Sequence, residues 1–123
     1  MLDTHVVLWS SLDTLSEEDR GLLAREAETV FVSAASVWEI EIKRATGRLR
    51  APEDVVGMVH DAGFTPLPIG FEHAVAAGRL PLHHRDPFDR MLIAQARVEG
   101  LTLATSDPDV SLYDVATHTV ARA

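Results

Sequence analysis

The chain has 123 residues, is 46% hydrophobic and 24% charged, and contains no cysteine. That is the material of one domain, with enough apolar residues for one core but not two, and the lack of thiols excludes disulfide scaffolds and thiolate zinc sites. Nineteen acidic residues against eleven basic ones give a formal charge of -8, the wrong sign for a protein that holds nucleic acid by phosphate neutralisation alone.

The predicted elements alternate along the chain. Asp3 closes a very short apolar start, and Val6 to Trp9 predict one or two helical turns. Ser16 offers a hydroxyl cap, and Glu17-Glu18-Asp19 supply acids for the first turn of a helix to about Ala27. Thr29-Val30-Phe31-Val32 is β-branched and aromatic and reads as a buried strand running into a capped helix from Ala34 to Thr46, ended by Gly47. Pro52 is expected to open a further helix to about Ala62. The prolines in Phe64 to Ile69 remove ladder donors and predict a short or edge strand. Glu72 to Gly78 predicts a short helix, and Pro87 opens a helix to Gly100. Leu101 to Thr105 reads as a strand, Pro108 as a helical turn, and Thr117 to Val120 as a last strand. Short apolar strands separated by helices predict an α/β fold, a mostly parallel sheet covered on both faces, occupying residues 1–123.

No apolar run reaches the roughly 18 to 20 residues that cross a bilayer. The start Met1-Leu2-Asp3-Thr4-His5 lacks the layout of a signal peptide. The expectation is a soluble, cytoplasmic protein without membrane contact.

In parallel sheets ligands collect at the carboxyl ends of the strands, and four carboxylates fall there. Asp3 ends the first strand, and Glu39 lies about one and two-thirds turns beyond Ser33. Asp89 stands in the first turn of the Pro87 helix, and Asp107 follows the Leu101 strand. Taken singly, Asp89 reads as a helix N-terminal charge, Asp107 as a cap before Pro108, and Glu39 as a solvated residue. Taken together they differ, because Glu39 sits between Trp38 and Ile40 and Asp89 follows Phe88, and a carboxylate beside an apolar stripe needs a compensating cation or donor. Lys43 is the only lysine, so ammonium groups are not expected to neutralise the cluster. Mg2+ or Mn2+, hard ions that take carboxylate oxygen and water, suit it.

Leu2-Asp3-Thr4-His5, Val32-Ser33-Ala34-Ala35-Ser36-Val37-Trp38-Glu39-Ile40, His84-Arg85-Asp86-Pro87-Phe88-Asp89-Arg90 with Met91 to Ala96, and Leu103-Ala104-Thr105-Ser106-Asp107 resemble, in order, the motifs of PIN-domain ribonucleases, most of all VapC toxins of toxin–antitoxin pairs. The resemblance implies a three-layer α/β/α fold, Mg2+- or Mn2+-dependent endoribonuclease activity, a VapB-like antitoxin whose tail enters the site, and a homodimer. Carried over by motif, the catalytic and metal-binding residues are Asp3, Glu39, Asp89 and Asp107. Asp86 competes with Asp89 for the third position, and otherwise caps the helix or binds a second metal. Thr4, Ser33, Ser36 and Thr105 are candidates to orient water or to act as caps. Arg85 and Arg90 are candidate phosphate contacts, with pairing to an acid the alternative for Arg90. Only Met1 and Leu2 precede Asp3, where the family has several apolar residues, so the expectation is either a first strand cut short or a native start upstream of Met1.

Trp9, Trp38 and Phe88 are expected in the core rather than as base-stacking platforms. The apolar sides of Val6 to Trp9 and Val37 to Ile42 are candidates for an antitoxin groove or for core. His83 and His84 are adjacent, so their side chains diverge, and they fit no HExxH pattern. Phosphoryl-accepting receiver domains resemble the chain poorly, because Lys43 comes too early, and Asp3-Thr4-His5 lacks the Asp-x-Asp of dehalogenase-type phosphatases. The other readings are a PIN-like binding module with an idle metal site, or a housekeeping PIN nuclease.

Overall fold

The structure is a computed structural model and describes residues 1–83 and 86–123. Helices α1 (Thr4–Ser11), α2 (Glu17–Arg25), α3 (Ala34–Ala45), α4 (Val55–Asp61), α5 (Phe71–Arg79) and α6 (Pro87–Glu99) alternate with strands β1 (Phe31–Ser33), β2 (Thr65–Leu67), β3 (Leu103–Thr105) and β4 (Thr117–Thr119). Short 3-10 turns occupy Ala27–Thr29 and Pro108–Leu112.

β1 pairs in parallel with β2, and β3 in parallel with β4. The first three residues join the two pairs. Leu2 N–H donates to Phe31 O at 3.0 Å, Asp3 N–H to Ala104 O at 3.0 Å, and Ala104 N–H to Met1 O at 2.8 Å. The spatial order is therefore β2, β1, residues 1–3, β3, β4. The central segment is a bridge at Leu2 rather than a full strand.

Successive residues of an extended segment point to opposite sides, which is why Met1 and Leu2 enter different cores. On one side Leu2, Val6, Val7, Ile40, Val55, Val59 and Phe64 pack together. On the other, Met1, Ala77, Leu80, Leu92, Ile93 and Leu103 do so. Helices thus cover both faces of the sheet in three α/β/α layers. Pro66 in β2 lies at a sheet edge, where its missing N–H costs no ladder bond. Among the described residues, no helix is long and apolar enough to cross a membrane.

Local chemistry sets the element ends. Ser16 caps α2 by accepting from Asp19 N–H, Ser33 caps α3 by accepting from Ala35 N–H, and Gly100 ends α6 at φ 67°. One start differs from expectation. α4 begins at Val55, not Pro52, because the Asp54 carboxylate accepts from Gly57 N–H at 2.9 Å and so fixes the first turn three residues later. The Val6 to Leu8 side of α1 is core and not an open groove, with Val6 0% and Val7 1% exposed. Trp38 also departs from expectation: it is 61% exposed. It sits between Val37 and Glu39 on α3 and turns outward where Ile40 and Glu39 turn in.

Candidate active site

Asp3 occupies the junction between the central bridge and α1. Its Oδ1 accepts from Val6 N–H at 2.9 Å, so it is the N-cap of that helix. Its Oδ2 accepts from the Thr105 hydroxyl at the end of β3. Burial pushes the Asp3 carboxyl above its ordinary range; the Thr105 and Val6 hydrogen bonds and His5 oppose this, while the Asp107 charge adds to it. Thr105 also ties in Asp107, whose N–H donates to Thr105 Oγ1 at 3.0 Å. Asp107 caps the following 3-10 turn by accepting from Asp109 N–H at 2.9 Å. One threonine thus links two of the carboxylates named from sequence.

Thr4 and Ser36 connect α1 to α3 by a buried hydroxyl–hydroxyl bond of 3.1 Å. One turn beyond Ser36 on the same side of α3, Glu39 is buried at 3% exposed. Its Oε2 is 2.6 Å from Lys43 Nζ, while its Oε1 is buried without a hydrogen-bond partner. The single lysine therefore does meet one carboxylate, contrary to expectation. The spacing of four residues, one helical turn, is the signal that could have found it.

Ser33 is wholly buried, and its hydroxyl donates to Gln95 Oε1 on α6. Gln95 in turn donates to Pro68 O at 3.2 Å. This buried amide fixes α6 against the carboxyl ends of β1 and β2, a role that the apolar Met91 to Ala96 run around it does not signal. Asp86 is the N-cap of α6, accepting from Phe88 N–H at 2.9 Å and Asp89 N–H at 3.4 Å. Asp89 is half-buried in the first turn. Asp86 shares with Glu39, Lys43, Arg48 and Phe88 a cleft of about 370 Å3.

Arg90 donates to the carbonyls of Ala77, Leu80 and Pro81, each at 2.9 Å, and so closes the C-terminal end of α5. Its guanidinium is engaged there in a structural role. Arg85, the other proposed phosphate contact, and His84 lie outside the described residues.

Among the described residues, no three of His, Asp and Glu stand together closely enough to hold a metal ion as they lie. The fit to a divalent cation is one of donor chemistry and unmet charge. The donors are hard carboxylate oxygens, Glu39 leaves one buried oxygen unpartnered, and burial disfavours the Asp3 anion.

A parallel sheet between helical layers, with Asp3 and Asp107 just beyond the carboxyl ends of the central segment and of β3, defines an α/β/α protein. The PIN domain family model matches residues 1–117. The chain belongs to the PIN domain family, a family of nucleases that generally use divalent metal ions.

Solved structures share the fold. VapBC from Salmonella typhimurium, solved bound to DNA, matches with TM-score 0.73 and 17% identity over 97% of this chain and 96% of that one. VapBC2 from Rickettsia felis, bound to a DNA fragment from its promoter, matches with TM-score 0.70 and 13% identity, covering 98% and 97%. FitAcB from Neisseria gonorrhoeae matches with TM-score 0.64 and 22% identity, covering 94% of each. No curated protein matches the chain.

Proposed function

We propose that this chain is a metal-dependent endoribonuclease, the toxin of a toxin–antitoxin pair, and that Asp3, Glu39, Asp89 and Asp107 form its catalytic set. The observation that carries this is Glu39: a carboxylate 3% exposed, with one oxygen lacking any hydrogen-bond partner, inside a PIN-domain fold. Burying an anion with half its acceptor capacity unused is costly unless a cation completes it.

The four carboxylates would hold Mg2+ or Mn2+, with Asp86 the alternative or additional ligand. The ion would supply water that ionises near neutral pH and positive charge against the phosphate. The protein's part is positioning. Thr105 fixes Asp3 through its hydroxyl and Asp107 through its main chain. Asp3 and Asp86 are also held as helix caps, so their directions are set by secondary structure rather than by flexible side chains. Hydrolysis adds water across the P–O3′ bond and leaves 5′-phosphate and 3′-hydroxyl ends.

The fold neighbours VapBC and VapBC2 support a protein partner. A basic partner suits a chain of charge -8. Lys43 on Glu39 supports the mode of inhibition, because it demonstrates that an ammonium group fits this carboxylate. An arginine or lysine of a VapB-like antitoxin would compete with the metal in the same way.

The test is co-expression with the neighbouring open reading frame, reading growth, RNase activity and complex mass. Growth arrest by the chain alone, relieved by a co-purifying partner, is expected. An active chain that is harmless alone and has no partner would be a housekeeping PIN nuclease, and a chain without nuclease activity an idle binding module.

A further inference from the structure

Trp38 and Phe88 form an edge-to-face pair with ring centroids 5.2 Å apart and planes at 71°. Each is the immediate neighbour of a proposed catalytic carboxylate, Glu39 on α3 and Asp89 on α6. The contact with Phe88 covers one part of the indole, yet Trp38 remains 61% exposed. Beside the pair opens the cleft of about 370 Å3 that contains Glu39, Lys43, Arg48 and Phe88.

The C-terminal turn of α3 and the segment that follows it carry the densest positive charge in an otherwise acidic chain. Lys43, Arg44, Arg48 and Arg50 fall within eight residues that contain no acid. Lys43 is held by Glu39, and Arg44 by the carbonyls of Pro52 and Glu53. Arg48 and Arg50 are exposed.

We propose that single-stranded RNA is seated on this strip, with a base stacked on the Trp38–Phe88 pair and a neighbouring phosphate neutralised by Arg48, which places the chain beside Glu39. An open aromatic face next to cations is the recurring means of holding single strands, because every base has a π-face and every nucleotide a phosphate. A net charge of -8 then ceases to be an obstacle, since the positive field is local. The proposal rests on the ribonuclease function above.

The experiment measures binding of a short, mixed-sequence single-stranded RNA by fluorescence anisotropy, using the full chain carrying Asp3→Asn to prevent cleavage. Adding Trp38→Ala should weaken binding roughly fivefold to a hundredfold, the loss that follows removal of one stacking partner. Trp38→Phe should restore most of it. Arg48→Gln should make the slope of log K against log salt shallower by about 0.7, one phosphate contact on a single strand. Circular dichroism confirms that the variants are folded.

Unchanged RNA affinity and salt slope in Trp38→Ala and Arg48→Gln would overturn the proposal. So would loss of antitoxin binding by Trp38→Ala with RNA affinity intact, which would assign the indole to a protein partner. Cleavage by the unmutated chain is read separately. If it cuts RNA with added metal while Trp38→Ala binds normally, the strip is wrong and the ribonuclease function stands; if it neither binds nor cuts RNA, both fall.

Discussion

Glu39 has one oxygen on Lys43 at 2.6 Å and the other without a donor. Removing the lysine leaves the buried carboxylate uncompensated. Lys43→Met should therefore destabilise the metal-free chain by about 1 to 2 kcal/mol, less than the loss for a fully buried pair because Lys43 is part-exposed. Added Mn2+ should raise the melting temperature of this variant more than that of the parent, since binding to the folded state alone stabilises it by mass action. Equal metal-induced shifts in thermal denaturation would show that Lys43 and the cation do not share Glu39.

Asp3 differs, because its cost is burial and its hydrogen bonds only partly offset it. Asp3→Asn keeps a competent cap on Val6 N–H while removing the buried charge. It should abolish RNA cleavage yet leave the metal-free chain at least as stable as the parent in urea titration. Asp89→Asn should lose activity by orders of magnitude; if Asp86→Asn is the inactive one instead, Asp86 is the third ligand. Asp3, Glu39, Asp89 and Asp107 were legible in the sequence as acids beside apolar stretches and strand ends. The Thr105 link and the outward turn of Trp38 were not, because they depend on side-chain directions that one-dimensional spacing leaves open, whereas the Lys43 pair has a signal in its four-residue spacing from Glu39.

At the level of elements, α6 was legible almost to the residue: Asp86 caps it, Pro87 occupies its first turn and Gly100 ends it at φ 67°. These are local signals, and they acted locally. The function of Gln95 was invisible because its partners, Ser33 at the end of β1 and Pro68 just after β2, come from other elements far away in sequence. Gln95→Leu should cost about 1 to 3 kcal/mol by leaving buried polar groups unsatisfied. It should also lower activity, because α6 carries both Asp86 and Asp89; unchanged kcat in this variant would mean that the amide supports the fold alone. The α4 start differs for the opposite reason: two local signals, Pro52 and Asp54, compete, and the carboxylate cap prevails.

Across the whole molecule, the α/β/α layering followed from the alternation of short apolar strands with helices. The division into two cores did not, since it requires knowing that residues 1–3 lie between β1 and β3. The far end of the chain is held back to α2 by Asp19, which accepts from Ala121 N–H at 2.9 Å and from the Ser16 hydroxyl at 2.9 Å. These bonds, the Ala121 one foremost, hold the Asp19 carboxyl below its ordinary range. A carboxylate with a lowered folded-state pKa stabilises the fold above its unfolded value of about 4, and that contribution is lost as pH falls through the folded value. The stability difference between the parent and Asp19→Asn should therefore be full at neutral pH and shrink below about pH 4 in denaturant titrations. A difference that grows on acidification would contradict the assignment.

The carboxylate mechanism is met most directly by end-group analysis of single-stranded RNA cut by the purified chain, with Mg2+ or Mn2+ and with EDTA. Cleavage should cease in EDTA, return with excess metal, and leave 5′-phosphate and 3′-hydroxyl ends, because water attacks phosphorus. Cleavage that persists in EDTA, or products ending in 2′,3′-cyclic phosphate, would contradict it.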